Sequence, residues 1–119
     1  MTHTRRQLLD LLERHDLRPS RALGQNFVVD PNTVRRIARL ARVGPGDRVV
    51  EIGAGLGSLT LALAETGATV TAIEADRHLL PALVSAVDPK GVRVVAGDAR
   101  HLDWTAELGE APHVLVATL

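Results

Sequence analysis

The sequence predicts an α/β fold built on a doubly wound, mostly parallel sheet. Short apolar runs alternate with helical segments from residue 48 onward, which is the pattern of parallel strands joined by helices. The first apolar run passes directly into a turn with glycine at every second position, Gly53, Gly55 and Gly57. In doubly wound folds such a turn lies next to a ligand, because glycine lets the backbone pass close beneath it.

The N-terminal part of the chain has two predicted helices and a connection between them. Leucines recur on one side of residues 4–16, so a helix is expected there, whereas residues 17–29 have no clear period. Asp30 followed by Pro31 is typical of a helix start. We expect this second helix to end before the Gly-Pro-Gly sequence at residues 44–46.

The remaining elements alternate between strands and helices. Pro81 lacks an amide hydrogen, so the helix that contains it must start late or bend. The expected strands are 48–52, 69–73, 92–96 and 113–117, and the expected helices between them are 58–66 and 76–87. Because the fourth strand would be an apolar edge, we expect the chain to be the front half of a longer domain, able to self-associate through that edge.

The composition argues against several kinds of site. The chain of 119 residues has no cysteine, so neither a disulfide framework nor a thiolate metal site can form. Its five histidines are scattered, and no metal site is expected. No apolar run reaches membrane-spanning length and no signal peptide is recognisable, so we expect no membrane association and a cytoplasmic protein.

The charge is unevenly distributed although the net charge is zero. Residues 1–48 carry ten arginines and five acids, a balance of +5, and residues 49–119 carry four basic and nine acidic residues, a balance of −5. Arg35, Arg39 and Arg42 lie at helical spacing and predict a face that contacts RNA phosphates. The alternative is a bias of base composition towards arginine, because the chain has a single lysine.

Glycines or polar residues follow each predicted strand at its carboxyl end. Gly53 and Gly55 follow the first strand, Glu74 follows the second, Asp98 follows the third and Thr118 follows the fourth. Ligands of doubly wound sheets bind beyond these strand ends. We therefore expect all four positions to face one crevice.

Glu74 and Asp98 have acceptor oxygens suited to a nucleoside. A carboxylate about 20 residues beyond the turn accepts hydrogen bonds from both ribose hydroxyls, in NAD and S-adenosylmethionine (SAM) sites alike. The alternative for Glu74 is a helix N-cap, a role that suits Asp76 better. Asp98 is placed to accept a hydrogen bond from an adenine amino group, and its alternative is an ordinary turn aspartate.

Other polar and aromatic residues are weaker candidates. Gln25 and Asn26 could hydrogen-bond the amino-acid end of a ligand if their segment covers the crevice, and Phe27 is expected to pack. Trp104 is expected to be a core or rim aromatic residue. The five histidines are expected to be surface or incidental residues: His3, His15, His78, His101 and His113.

The spacing in the glycine turn separates two ligand classes. A dinucleotide fingerprint needs glycine at position 58, where the chain has Ser58. Glu51 followed by the three glycines resembles instead the first motif of SAM-dependent methyltransferases, whose ligand has no pyrophosphate. An NAD-dependent oxidoreductase is the alternative enzyme class, and a non-catalytic RNA-binding or assembly module is a third hypothesis.

Four segments together resemble one family. They are Ser20–Asp30, Val50–Gly57, Ile73–Asp76 and Gly97–Ala99. In this order and at these distances they are similar to the ribosomal-RNA adenine dimethyltransferases, specifically the bacterial branch that acts on small-subunit (16S) rRNA. The resemblance extends from about residue 17. The macrolide-resistance methyltransferases of large-subunit rRNA share the architecture and are a sister possibility.

The resemblance implies a Rossmann-like SAM-dependent methyltransferase fold, truncated here after the fourth strand. The implied activity is dimethylation of adenine amino groups in the pre-ribosomal small subunit, a step of ribosome maturation. Residues 1–29 would form a helix and a cofactor-covering segment, and residues 30–119 the first part of the SAM-binding domain. The implied SAM site comprises Asn26, Val28, Gly53, Glu74 and Asp98, with Gln25 and Gly55 close by.

The chain departs from the family pattern at its end. Family members have Asn-Leu-Pro-Tyr after the fourth strand, where oxygens accept the adenine amino hydrogens and the aromatic ring stacks on a flipped base. Here Thr118 stands at the asparagine position, Leu119 matches the leucine, and the proline, the aromatic residue and the C-terminal helical lobe are missing. We therefore expect that this chain binds SAM at best and does not methylate.

Overall fold

A computed structural model describes residues 2–17 and 30–117 of the chain. Its four strands form one sheet in the order β3-β2-β1-β4, and all neighbouring strands are parallel. The strands are β1 Arg48–Ile52, β2 Thr69–Glu74, β3 Arg93–Ala96 and β4 Val114–Ala117. The helices are α1 Arg5–Arg14, α2 Pro31–Leu40, α3 Ser58–Glu65, α4 Leu80–Val87 and α5 Trp104–Leu108, and a 3₁₀ turn at Asp88–Lys90 follows α4.

Helices pack on both faces of the sheet because each strand points successive side chains in opposite directions. On one face Val49 of β1 belongs to the main core, together with Val34 of α2 and Leu63 of α3. The next residue, Val50, belongs to a separate cluster against which Trp104 of α5 packs. The predicted α/β, doubly wound parallel arrangement is thereby confirmed.

Helix α1 packs against the glycine turn and α4. Its start is fixed by a capping box: Gln7 N–H donates to Thr4 Oγ1 at 3.1 Å, and Thr4 N–H donates to Gln7 Oε1 at 2.8 Å. The apolar cluster beneath the helix contains Leu8, Leu11, Leu12, Leu56, Leu79 and Ala82. The helix is thereby tied to the loop that follows β1.

Two elements differ from the sequence expectation. Helix α4 begins at Leu80 rather than at residue 76, because Pro81 fits the first turn, where its missing N–H has no partner to lose. Asp76 does not cap that helix, and its carboxylate accepts instead from His78 N–H at 2.9 Å. Helix α5 was not predicted, because its five residues are too few to show a helical period.

The surface assignment of His3 was wrong. Its side chain is buried, as is that of Thr2. The amphipathic pattern of α1 indicated which face of the helix is buried, but the residues ahead of the helix have no pattern of their own. Their burial is a consequence of where α1 places them against the loop after β1.

Candidate cofactor site

The site lies at the carboxyl edge of the sheet, where three parallel strands end side by side. Ile52 of β1 is aligned with Ile73 of β2, and Glu74 of β2 with Ala96 of β3. The register therefore brings the glycine turn, Glu74 and the residues after β3 to the same edge. This is the location at which open parallel sheets bind ligands.

The glycine turn has a backbone conformation that other residues seldom adopt. Gly53, Gly55 and Gly57 have φ angles of +77°, +61° and +92°. A Cβ at Gly53 would meet no atom within 4 Å, whereas a Cβ at Gly57 would lie 2.8 Å from Val87 Cγ1. Gly53 therefore leaves open space at the strand end, and Gly57 allows the close packing of α4.

Glu74 links the end of β2 to the glycine turn. Gly55 N–H donates to its Oε1 at 2.7 Å, and Asp76 N–H donates to its Oε2 at 2.9 Å. The side chain is mostly buried, with 8% of the residue's surface exposed. Each carboxylate oxygen can accept about two hydrogen bonds, and among the described residues each accepts one backbone N–H. The positions that these two bonds leave are equal in number to the two hydroxyls of a ribose.

A backbone hydrogen bond holds the segment that contains Asp98 next to Glu74. Gly97 N–H donates to Glu74 O at 3.0 Å, which holds the loop after β3 against the end of β2. The Asp98 carboxylate accepts from Arg100 at both oxygens, with Nη2 at 2.7 Å from Oδ2 and Nε at 3.1 Å from Oδ1. The hydrogen bonds from Arg100 lower the pKa of Asp98, so this group is an anionic acceptor at neutral pH.

Glu51 is a second buried carboxyl group near the site, and the sequence did not suggest a separate role for it. It is 2% exposed, and Thr60 Oγ1 lies 2.5 Å from its Oε1. Burial raises the pKa of Glu51 to about 8, the Thr60 hydrogen bond lowers it, and the charge of Glu74 raises it further. An acidic residue inside an apolar strand was the available signal.

Several predicted site residues lie outside the described residues. They are Gln25, Asn26, Val28 and Thr118, and their roles stay predictions. Within residues 2–17 and 30–117, no group of three or more His, Asp or Glu side chains could hold a metal ion. In the same part of the chain, no helix is both long and apolar enough to cross a membrane.

A comparison with protein families decides the assignment. The family model for ribosomal RNA adenine dimethylase matches residues 17–113, which include the glycine turn, Glu74 and Asp98. The chain belongs to this family. The four segments on which the resemblance was based therefore come from a ribosomal RNA adenine dimethylase sequence.

Relatives within the dimethylase family are similar over most of the chain. A ribosomal RNA small subunit methyltransferase A from Kineococcus radiotolerans is 52% identical over an alignment of 120 positions, which covers 96% of this chain and 39% of that protein. The chain thus spans about two fifths of the length of this relative.

Solved structures show the same fold. The 23S rRNA methyltransferase ErmE has a TM-score of 0.61 and 35% identity, covering 65% of this chain and 32% of ErmE. An RNA methyltransferase from Salinibacter ruber, in complex with S-adenosyl-L-homocysteine, has a TM-score of 0.58 and 25% identity, covering 66% of this chain and 55% of that one. These similarities confirm the Rossmann-like methyltransferase fold that the resemblance implied.

The three arginines predicted to contact RNA are all exposed, but only two of them lie in a helix. Arg35 and Arg39 are exposed on α2, whereas Val34 and Ala38 of the same helix are buried. Arg42 lies beyond the helix end at Leu40 and has a φ angle of +54°. The structure therefore places two of the three arginines on one helical face and the third in the following turn.

Proposed function

We propose that the chain forms the SAM-binding part of an adenine N6,N6-dimethyltransferase of small-subunit (16S) rRNA. The observation that carries the proposal is Glu74, which accepts the Gly55 amide of the glycine turn and which, among the described residues, accepts a single hydrogen bond at each carboxylate oxygen. Family membership and the small-subunit name of the Kineococcus relative support the substrate. The match to ErmE supports the sister function on large-subunit rRNA less, because its identity is lower over a shorter part of the chain.

The residues at the sheet edge fit the adenosyl part of SAM. Glu74 would accept hydrogen bonds from the ribose hydroxyls, and Asp98 would accept one from the adenine amino group. Gly53 leaves open space beside the end of β1, and Gly55 is fixed on Glu74. No pyrophosphate is involved, so the missing glycine at position 58 is no obstacle, whereas it counts against an NAD site.

The outer residues of the site would come from the segment before α2. We propose that Gln25 and Asn26 hydrogen-bond the amino-acid end of SAM and that Val28 packs against it. SAM supplies an electrophilic methyl group, so the work left to the protein is to position the adenine amino group. A residue that accepts the amino hydrogens is needed for this, and Thr118 stands at the position where the family has asparagine.

We propose that the isolated 119-residue chain binds SAM but does not catalyse methyl transfer to adenine. The side chain of threonine is shorter than that of asparagine, so the Thr118 hydroxyl is less well placed than an amide oxygen to accept a hydrogen bond from a flipped adenine. The contact with rRNA would use the exposed arginines of α2, through phosphate neutralisation. A non-catalytic RNA-binding role for the isolated chain is the second candidate, supported by the exposure of Arg35 and Arg39.

Calorimetric titration with SAM and, separately, with NAD tests the cofactor assignment. We expect SAM binding and no NAD binding. Glu74→Gln keeps the shape of the side chain but replaces one acceptor oxygen by a donor, and it should weaken SAM binding by about tenfold or more. Glu107→Gln is the matched control, because Glu107 pairs with Arg93 at the start of β3, away from the carboxyl ends of the strands. Equal binding by the chain and the Glu74 variant would contradict the assignment.

Methylation is tested separately with precursor small subunits as the substrate. Incubation with SAM carrying a labelled methyl group should leave the rRNA unlabelled when the 119-residue chain is the only protein added. Transfer of label to adenine would refute the proposal that this chain does not turn over. It would also show that Thr118 is sufficient at that position.

A further inference from the structure

We propose that Thr2 and His3 are positioning residues of the cofactor site. They bond the backbone at the end of the glycine turn, at Leu56 and Ser58, and hold the turn in its ligand-binding conformation. The inference rests on the proposed function, because it assigns these residues a part in SAM binding. It concerns residues ahead of α1 that the sequence did not associate with any site.

Two long-range hydrogen bonds carry the proposal. His3 Nε2 lies 2.8 Å from Leu56 O, and Thr2 Oγ1–H donates to Ser58 O at 2.6 Å. Their partners are 53 and 56 residues away in the sequence. Both side chains are buried, with exposed fractions of 5% for Thr2 and 8% for His3. Buried polar side chains with partners this distant connect two parts of the fold that α1 alone would join only through apolar contacts.

The Leu56 carbonyl needs such a donor. Gly57 is the N-cap of α3, and its carbonyl accepts the first bond of the helix, from Leu61 N–H at 2.9 Å. Leu56 comes one residue earlier, so its carbonyl is outside the helical hydrogen-bond ladder. Because Leu56 is buried, its carbonyl would lose water without gaining a partner if His3 were absent, and a buried unpaired carbonyl is unfavourable.

The chemistry of the contact defines the state of the imidazole. A carbonyl oxygen only accepts hydrogen bonds, so Nε2 of His3 must carry a hydrogen. Burial lowers the pKa of His3, while its hydrogen bond to Leu56 raises it to a smaller extent. The ring is therefore neutral at pH 7, with the hydrogen on Nε2, and it acts as a fixed donor.

The turn is consequently held from two sides. On the sheet side, Gly53 N–H donates to Ile73 O at 2.9 Å, and Gly55 N–H donates to Glu74. On the other side, the carbonyls of Leu56 and Ser58 are held by His3 and Thr2. A turn rich in glycine samples many conformations when it is free. Fixing it before the ligand arrives removes part of the ordering cost of binding.

The test compares three variants of the chain by calorimetric titration with SAM and by thermal unfolding. His3→Leu keeps an apolar side chain but removes the donor, and it should weaken SAM binding about tenfold. His3→Gln places an amide N–H near the position of Nε2 and should restore the affinity to within about threefold. Thr4→Ala is the matched control, since it removes the capping box of α1 but neither of the side chains that bond the Leu56 and Ser58 carbonyls.

The control separates positioning from stability. Thr4→Ala should lower the unfolding temperature but leave the SAM dissociation constant unchanged. Loss of SAM affinity in proportion to the unfolding temperature in all three variants would overturn the proposal, because α1 would then contribute stability alone.

Amide hydrogen exchange without SAM decides the inference independently of the proposed function. Exchange at residues 55–58 should be faster in His3→Leu than in the unaltered chain, and His3→Gln should reverse the change. If the unaltered chain does not bind SAM, the proposed function fails. Unchanged exchange in His3→Leu would refute the positioning role, whether or not SAM binds.

Discussion

The Thr60 hydroxyl donates a hydrogen bond to the Glu51 carboxyl group, and the distance from Oγ1 to Oε1 is 2.5 Å. This bond links β1 to the first turn of α3. Both residues are buried. Burial raises the pKa of Glu51 to about 8 because the charged form loses its water, and the Thr60 hydrogen bond opposes this only in part. Glu51 is therefore predominantly protonated in the folded chain at pH 7, and only Ile52 separates it from the glycine turn.

The protonation of Glu51 predicts a stability that falls with rising pH. In the unfolded chain this group releases its proton near its ordinary pKa of 4.5, but in the folded chain only near 8. The folded state thus binds more protons between these values, and its contribution to stability is lost as the pH rises from about 4.5 to 8. Urea unfolding at pH 5, 7 and 9 measures this dependence.

The control is Glu51→Gln, which cannot ionise but keeps a polar group beside Thr60. The difference in unfolding free energy between this variant and the unaltered chain should increase with pH in favour of the variant, up to about pH 8. Other titrating groups cancel in this difference. A difference that is independent of pH would show that Glu51 is ionised in the folded chain.

Removal of Arg100 should strengthen SAM binding. Its guanidinium occupies positions on both Asp98 oxygens, and we propose that the adenine amino group requires one of them. The pair is exposed to solvent, so the competition is weak, and Arg100→Leu should lower the SAM dissociation constant by about two- to fivefold.

The Arg93 pair with Glu107 provides the comparison for Arg100. It has the same N–O distance of 2.7 Å, and its carboxylate is as exposed as that of Asp98, although the Arg93 side chain is 52% exposed and that of Arg100 is 81% exposed. Arg93→Leu should leave the dissociation constant unchanged in the same titration. Weaker SAM binding in Arg100→Leu would mean that this residue contacts the ligand rather than competing with it.

Gly57→Ala should destabilise the chain more than Gly53→Ala. Both glycines have positive φ angles, which cost an L-residue about 1–2 kcal/mol. Only at Gly57 would the new Cβ also collide with a side chain, that of Val87. Unfolding free energies in urea give the two values.

A double variant checks whether the collision is the cause. The cost of Gly57→Ala should be smaller in a Val87→Ala background, because the Cγ1 methyl group that the new Cβ meets is then absent. Strict additivity of the two substitutions would indicate that backbone strain alone accounts for the effect.

The outer edge of β4 should promote self-association. β4 pairs with β1, and within the described residues no strand lies on its other side. Leu115 is 62% exposed and Val114 is 38% exposed. Light scattering over a wide concentration range should show oligomers of the 119-residue chain, and Leu115→Glu should reduce them. A chain that is monomeric at all concentrations would exclude this interface.

Charge reversal on α2 and in the turn after it tests the RNA contact. Replacement of Arg35, Arg39 and Arg42 by glutamate should weaken binding to small-subunit rRNA and reduce the salt dependence of the remaining affinity. Leu40, an exposed apolar residue on the same helix, gives the control Leu40→Gln, which leaves the charge unchanged. Unaltered affinity and salt dependence in the charge-reversed variant would exclude these arginines as phosphate contacts.

Much of the fold was predictable because its signals are local. The alternation of apolar strands with helices and the glycine turn depend on neighbouring residues, so β1 and the turn after it were placed correctly. Glu74 and Asp98 were predicted to lie at one edge because parallel strands end together. The five residues of α5 contain no recognisable period, and the effect of Pro81 on the start of α4 was predicted only as one of two outcomes.

The sequence by itself determined the class of fold, the family and the strand ends at which the candidate site residues lie. The tertiary structure alone decided which distant groups meet: His3 and the Leu56 carbonyl, Thr60 and Glu51, Glu74 and the Gly55 amide. The physical reason is that periodicity records only whether a side chain faces the core. The partner of a buried polar group depends on how separate elements pack, and no local pattern of residues specifies that.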